Sequence, residues 1–536
     1  LSAPKDGEIG WRTEGAVNLP LITDTAGFRI AAAHEEAAGW IDGPLGEDTN
    51  DRNTTTVRGK LLVEPSDAFT ISALGLYHES EQFVKSYSFD GYNSSQTNPS
   101  QARQEYEMGV LQIGYDFGAA TLLSVSGVLH QEGRSVDDST KFYQTLFGGP
   151  IIEDVLSDST GDFTKWSQEL RLTSNGDTRF KYMLGASYTD FDSDGYITAD
   201  AVSLIPVPPT ALGLVFTQES SRKSRIWAVF GNFSYDLTDW ASLEFGGRYF
   251  SEDLETDSIF TLVDLLGPGA DFVDITGGKA TFETFNPKMG LNFKTGDSGI
   301  VYIDAARGFR SGGFNGVTDP SVSPTYDPEK LWTYEIGAKQ STLDGRLFVE
   351  LAVYYNDYKD IQLNQVVNPT VATVLNGGRA SGPGVDFIIQ ARPKEDLVFS
   401  ASLGWNHLRF DTDSIDKLKE DPADLVPDWN FSTSVDYTPQ LTDKLQLVAH
   451  ADVGFIDQAQ ITLRSIAALG FDAVTPSEAR TVANLKLGLA CDRLEGYVFA
   501  NNLLNEIKIV NPAFGAFFEP IYTQPRTLGV GLRARF

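Results

Sequence analysis

The connections between segments constrain this chain more than any other feature. Alternating apolar and polar residues recur from end to end. In "NLKLGLAC", Leu485, Leu487, Leu489 and Cys491 share one face, and Asn484, Lys486, Gly488 and Ala490 the other. In "RLFVELAVYYND", Leu347, Val349, Leu351, Val353 and Tyr355 oppose Glu350, Ala352, Tyr354 and Asn356. "SLEFGGRYF" sets Leu243, Phe245 and Tyr249 against Glu244 and Arg248. A period of two marks strands with a different environment on each side. Twenty-one such strands can be placed, from residues 9–21 to 526–536. Ten connections are short and rich in Asp and Gly, such as "TDTA" at 23, "NGDT" at 175 and "LDGR" at 343, as hairpin turns require. Ten are long, near 41–53, 81–102, 133–161, 198–223, 254–278, 308–330, 361–380, 410–428, 460–478 and 503–525. Short and long alternate without exception.

That rotation is the pattern of an all-β transmembrane antiparallel barrel, with turns on the periplasmic side and loops outside. The apolar face then meets lipid and the charged face lines a wet lumen. A soluble sandwich inverts those faces, but so many strands with ten long loops at one end are hard to build as one. Bacterial single-chain barrels have an even strand number. The first placed strand also runs from the loop side to the turn side, so an upward strand must precede it. Residues 1–8 read as the remnant of that strand and its loop. The whole of 1–536 is then a barrel of about 22 strands, a size class whose lumen is plugged. The filling domain is expected upstream of Leu1 and is absent from this sequence. The closing stretch "RTLGVGLRARF" is predicted to pair on both edges, with Phe536 in the periplasmic aromatic girdle.

Composition narrows the function. The formal net charge of −31 over 536 residues argues against nucleic acid as a partner. Cys491 is the only cysteine, so an intrachain disulfide or Cys-based zinc site is excluded. His34, His78, His130, His407 and His450 are scattered, with no HExxH spacing. There is no apolar run of about 18 residues that could form a membrane helix. No signal peptide and no initiating Met are present, so Leu1 is read as a position downstream of the gene's start. No nucleophile–base constellation is assembled, which argues against an enzyme.

Several stretches resemble the TonB-dependent outer-membrane receptors, in order and across nearly the whole chain. They are "GAVNLPL" (15–21), "RGKLLVEP" (58–65), "WSQELRLTS" (166–174), "ARGFRSGGFNG" (306–316), "YDPEKLWTYEIGAKQ" (326–340), "FANNLLNE" (499–506) and "PRTLGVGLRARF" (525–536). The resemblance implies a 22-stranded barrel filled by an N-terminal plug, and a short box that engages the energy-transducing TonB complex. It implies uptake of a scarce nutrient across the outer membrane: a siderophore-type iron complex or other large solute. Lipid and lipopolysaccharide surround such a barrel. A plug-less porin, or a scaffold holding a surface partner protein, are the alternatives.

Candidate ligand-binding residues lie in the long loops. Three of these are less polar than water-facing loops should be. They contain "FYQTLFGGPII" (142–152), "LIPVPPTALGLVF" (204–216) and "NPAFGAFFEPIY" (511–522), the last with Phe514, Phe517, Phe518 and Tyr522. They read either as a surface for an apolar ligand or protein, or as loops packed on one another. Arg307 and Arg310 stand beside glycines in "RGFRSGGFNG". Their planar forks suit carboxylates or phosphates, and a fixed pairing with Glu335 or Glu329 on the following strand, or with the plug, is the favoured reading. No cofactor is required. One calcium half-match exists: Asp190, Asp192 and Asp194 precede Gly195 in D-x-D-x-D-G spacing. The Glu expected at the twelfth position is replaced by Ala201, beside Asp200.

Overall fold

In a computed structural model the chain forms one nearly closed antiparallel barrel. The structure describes all residues except 141–143, 145–151, 204–213, 263–271, 317–321, 369–370, 415, 466–473 and 513–518. It also leaves out the side chains of 152–153, 200–203, 214–215, 262, 272, 366–368 and 371–372.

The barrel strands are numbered here in chain order. They begin with β1 (Ser2–Pro4), β2 (Trp11–Ile22), β3 (Ala26–Ala37), β4 (Arg52–Ser66), β5 (Phe69–Gln82), β6 (Gln101–Asp116) and β7 (Ala120–Asp138). The tallest follow: β8 (Ile152–Ser174), β9 (Phe180–Ser203), β10 (Leu214–Asp236), β11 (Ala241–Leu262) and β12 (Phe272–Lys294). Next are β13 (Gly299–Arg310), β14 (Glu329–Thr342), β15 (Leu347–Lys359), β16 (Arg379–Lys394) and β17 (Leu397–Asn406). The last are β18 (Trp429–Tyr437), β19 (Leu445–Ile456), β20 (Arg480–Cys491), β21 (Leu494–Asn501) and β22 (Thr527–Ala534). Each pairs with its sequence neighbour from β2 through β22. The short β1 pairs with the outer end of β22, Ser2 opposite Gly529 and Pro4 opposite Thr527. Ser2 also exchanges both backbone hydrogen bonds with Gly10, which leads into β2. The ring therefore closes at its outer rim. Below Val530, β22 pairs only with β21, so the expectation of pairing on both edges holds only for its outer half. Phe536 follows the end of that strand and is fully exposed.

The period-two reading fixes the faces. On β4, Leu61 lies opposite Phe28 and Ala73 on the lipid side, whereas Leu62 lies opposite Gly27 and Ser72 on the lumen side. Short turns close the inner end; in "TLDGR", Asp344 and Gly345 sit at φ 56° and 80°, where Gly and Asp are best tolerated. Outward-facing aromatics mark two belts. Tyr235, Phe180 and Trp240 form part of the lower one, and Trp166, Tyr188, Trp227, Tyr334, Tyr355 and Trp429 part of the upper. Roughly nine residues of β10, from Trp227 to Tyr235, span the gap, which suits a tilted membrane strand.

Strands β8–β12 are 22–24 residues long, so they rise far above the upper belt. There the outward face changes character while its register stays unbroken. On β5 the outward series runs from Ile71 and Tyr77 to Glu79 and Glu81; on β9 it runs from Leu184 and Tyr188 to Asp190, Asp192 and Asp194. The Tyr77 hydroxyl donates to Glu79 (3.2 Å) and that of Tyr188 to Asp190 (3.1 Å), right at the transition. The rule that charge marks the lumen face holds only inside the membrane. Above it, the outward face faces water and carries the charge.

Candidate functional site at the outer mouth

The long loops build a folded rim, and "RGFRSGGFNG" starts it. Arg310 is the last residue of β13 and faces inward. Its Nε lies 2.9 Å from Glu329 Oε1, the ion pair favoured from sequence. Glu329 is 1% exposed and also accepts from the Tyr358 hydroxyl and, at 2.7 Å, the Gln362 N–H. Burial, the first cause, and the Glu329 contact both push the Tyr358 phenol upward. Gln362 donates in turn to the carbonyl of Ser311 (2.7 Å). Asn315 is buried and works like a strand residue: its amide donates to the carbonyls of Ser323 and Val374, and its oxygen accepts the Val374 N–H (2.8 Å). These bonds tie the segment to a hairpin, Gln362–Asn368 with Val371–Asn376, above a small core of Ile361, Leu363, Ala380, Leu408 and Phe410. The glycines are there for contact and not for freedom. A Cβ on Gly312 would lie 2.4 Å from both the Phe282 ring and the Tyr326 carbonyl. Gly312→Ala is expected to displace this segment at a cost of about 1–3 kcal/mol, seen as faster amide exchange around Asn315.

Arg307 does not belong to the mouth. It faces outward and donates to Thr284 Oγ1 (3.1 Å) and to the Phe285 carbonyl, so it pairs with neither Glu335 nor Glu329. Glu335 instead accepts from the Tyr302 hydroxyl inside the barrel (2.5 Å).

A second cluster joins residues 407–428 to 457–479. Lys417 is 2% exposed, with its Nζ 2.5 Å from both Asp424 Oδ1 and the Thr462 carbonyl. Arg464 grips Asp421 with two nitrogens, the longer bond 3.1 Å. Burial pushes the Asp421 carboxyl up, but the Arg464 bond and the Leu418 N–H outweigh it and hold the pKa below its ordinary value. A depressed carboxylate stabilises the fold above its unfolded pKa and loses that contribution as pH falls through the folded one. Protection factors over residues 416–424, taken relative to intrinsic amide exchange at each pH, are therefore expected to hold from neutral pH downward and to fall only below about pH 4.

A third cluster covers the seam. Glu519, 9% exposed, accepts from the Ser94 hydroxyl (3.1 Å) and from the Ser95 N–H and hydroxyl. The Tyr522 hydroxyl donates to the Phe89 carbonyl (2.9 Å), and Tyr87 bridges Ile521. For Tyr522, loops packed on one another is thus what the structure shows. Phe514, Phe517, Phe518 and residues 204–213 lie outside the described set, as does most of 142–151.

Asp190, Asp192 and Asp194 stand in a row on the outward face of β9, in unbroken register with β8 and β10. No loop forms there, so the sharp turn expected of a calcium loop is missing. Asp190 lies 3.6 Å from Arg225 and Asp192 3.8 Å from Lys223. The Asp200 side chain is outside the described set. Among the described residues no group of three His, Cys, Asp or Glu is placed to hold a metal ion. Sequence reasoning missed Asn315, Lys417 and Glu519. Their one signal is polar residues within short Gly- and Pro-rich loop stretches, which does not separate hubs from solvated side chains.

On β5–β12 above the upper belt, the inner wall is mostly neutral. It presents Gln104, Gln131, Ser159, Ser193, Ser220 and Ser258, with ring pairs His78–Tyr106 (4.7 Å) and Phe163–Phe191 (5.3 Å). Its charges are largely paired, Arg222 with Glu252 at 3.5 Å and Asp137 with Lys85. Such a wall can bind through hydrogen bonds and ring faces.

Comparison with known proteins agrees with this architecture. The family model described as TonB dependent receptor-like, beta-barrel matches residues 40–503. A metal-pseudopaline receptor, CntO of Pseudomonas aeruginosa, is 26% identical over 123 residues, a match spanning 23% of this chain and 17% of that protein's length. The ferric yersiniabactin uptake receptor FyuA of Yersinia pestis superposes with a TM-score of 0.83 at 16% identity, covering all of this chain and 79% of that one. The ferric-catecholate import receptor Fiu of E. coli K12 gives 0.73 at 16% identity, over all of this chain and 81% of that one. At these identities the structural likenesses speak for the fold. With the family match extending over most of its length, this outer-membrane chain belongs to the TonB-dependent receptor β-barrel family.

Proposed function

We propose that this barrel imports a scarce metal chelate across the outer membrane, driven by the TonB complex through a lumen-filling domain upstream of Leu1. The observation that carries the reading is the lumen wall. Arg58 and Lys60 on β4 and Asp386 on β16 face inward, and none has an ion-pair partner among the described residues. Unpaired charges on an interior wall suit a polar domain seated against them, or a solvated path beside it. The metal-chelate class rests on the siderophore receptors that share the fold and on the distant metal-pseudopaline receptor. Lipopolysaccharide surrounds the charged outer wall. The reading needs no cofactor and no catalytic step. It is tested by accumulation of iron-55 chelates in cells that make the receptor, with and without its TonB partner. Loss of uptake without TonB is expected. TonB-independent uptake, together with large single-channel conductance in planar bilayers, would instead indicate a plug-less porin.

A further inference from the structure

The lipid-facing wall is apolar over most of its extent, and β7–β8 depart from this. Residues directly opposite one another across paired strands share a face. One such row runs from Leu61 on the lipid side through Ala73, Leu111, Ser126 and Gln168 to Tyr188 of the upper belt. The next row inward holds Ile113, Ser124, Leu170 and Ala186. Ser124, Ser126 and Gln168 therefore face hydrocarbon, below Trp166. They form one network. The Ser126 hydroxyl donates to Gln168 Oε1 (2.5 Å), and Gln168 Nε2 donates to Ser124 Oγ (3.0 Å) and to the Glu169 carbonyl (3.1 Å). The Ser124 proton has no acceptor among the described residues, and Gln168 Oε1 keeps a second lone pair. Hydrocarbon can satisfy neither. Polar side chains at such depth are costly, and they hold proteins together inside membranes. Beside the network the surface is hollow. Gly59, Gly75 and Gly109 stand opposite one another on β4–β6, one row closer to the outer rim than Leu111. A Cβ on Gly75 would meet nothing within 4 Å, so packing inside this chain does not demand glycine there. A bare strand surface suits the close approach of another backbone.

The partner that fits is a second copy of this chain. A two-fold axis along the membrane normal, placed between β7 and β8, sets β7 of each copy against β8 of the other, and β6 against β9. The open donor on Ser124 then faces the open acceptor on Gln168 of the second copy, and symmetry repeats the contact in reverse. One patch carries both halves of the contact, as a self-complementary interface requires. The hollow over Gly109 meets β9 of the second copy. We propose that this receptor pairs with itself in the membrane through the lipid-facing wall of β6–β9, with Ser124, Ser126 and Gln168 at the centre. Above the belt the same strands are net acidic, with Glu105, Glu132, Asp162 and Asp192 outnumbering Arg103 and Arg134. The two walls repel each other in the water layer, so pairing strengthens as salt screens them.

The test uses the whole receptor in its own outer membranes, with Cys491→Ser removing the only native thiol. Ser126→Cys places a thiol beside the axis. Thr433→Cys places one on the lipid face of β18, on the far side of the barrel, opposite Ala401 and Val453. Under a mild oxidant Ser126→Cys is expected to give a disulfide-linked dimer, in greater yield at high salt, and Thr433→Cys only a collisional background. A second measurement counts copies per particle in lipid vesicles by single-molecule photobleaching. Gln168→Leu is expected to weaken pairing about tenfold, because both symmetry-related bonds are lost at once. The barrel itself tolerates a leucine facing lipid. Thr433→Val, the same kind of change on the far side, is expected to leave pairing as it was. Equal cross-linking of the two cysteine variants, no cross-link through Ser126→Cys, or pairing indifferent to Gln168→Leu each overturns the interface.

Discussion

Leu61→Arg is expected to destabilise the barrel by about 2–4 kcal/mol, while Leu62→Arg, one residue on, changes it by less than about 1 kcal/mol. The two leucines are chemically identical and adjacent on β4. Leu61 lies in the outward row with Phe28 and Ala73, four residues below Val57 near the upper belt, close to the bilayer middle. An arginine there must leave water for hydrocarbon or thin the membrane around itself. Leu62 points into the lumen beside Lys60 and is 38% exposed. An arginine there stays hydrated. Unfolding titrations in lipid vesicles measure both. Equal costs would mean that the faces are assigned wrongly.

Glu329→Ala is expected to release the outer hairpin at residues 362–376, with a local cost of about 3 kcal/mol. The carboxylate is 1% exposed and serves three partners from three segments: Arg310, Tyr358 and the backbone of Gln362. Alanine leaves the Tyr358 hydroxyl and the Gln362 N–H without their acceptor in a site that water scarcely reaches. Hydrogen exchange should rise sharply over 362–376 and little in β14 below Trp332, where barrel pairing persists. Arg307→Ala, by contrast, should leave that hairpin's exchange unchanged, since the hydrogen bonds of Arg307 among the described residues run to Thr284 and the Phe285 carbonyl on β12.

The barrel was legible because each strand reports its environment through a period of two, and because the Asp- and Gly-rich turns alternate with long loops. Both signals are local. The count of 21 long strands and the direction of β2 follow from them. Much of the stretches near 133–161, 198–223 and 254–278, read from sequence as long loops, continues as strand in β7–β12, since alternation alone does not say where a strand leaves the membrane. The Tyr77–Glu79 and Tyr188–Asp190 steps mark that point, and an aromatic followed two residues later by a carboxylate is the usable sign. The D-x-D-x-D-G match failed for a related reason. Spacing converges carboxylates only if the backbone turns, and Gly195 instead continues a strand opposite Gly161 and Ser220. The Arg310–Glu329 pair was readable because both residues end adjacent strands. Asn315, Lys417 and Glu519 were not, because their partners are distant in sequence.

The most direct test of the transport reading is energised uptake in intact cells. Iron-55 supplied as a chelate is followed in cells that make the receptor, before and after a protonophore collapses the proton-motive force. An energy-coupled receptor accumulates iron above the external concentration, and accumulation falls to background on collapse. Uptake that merely equilibrates and ignores the protonophore would contradict it and leave a passive pore.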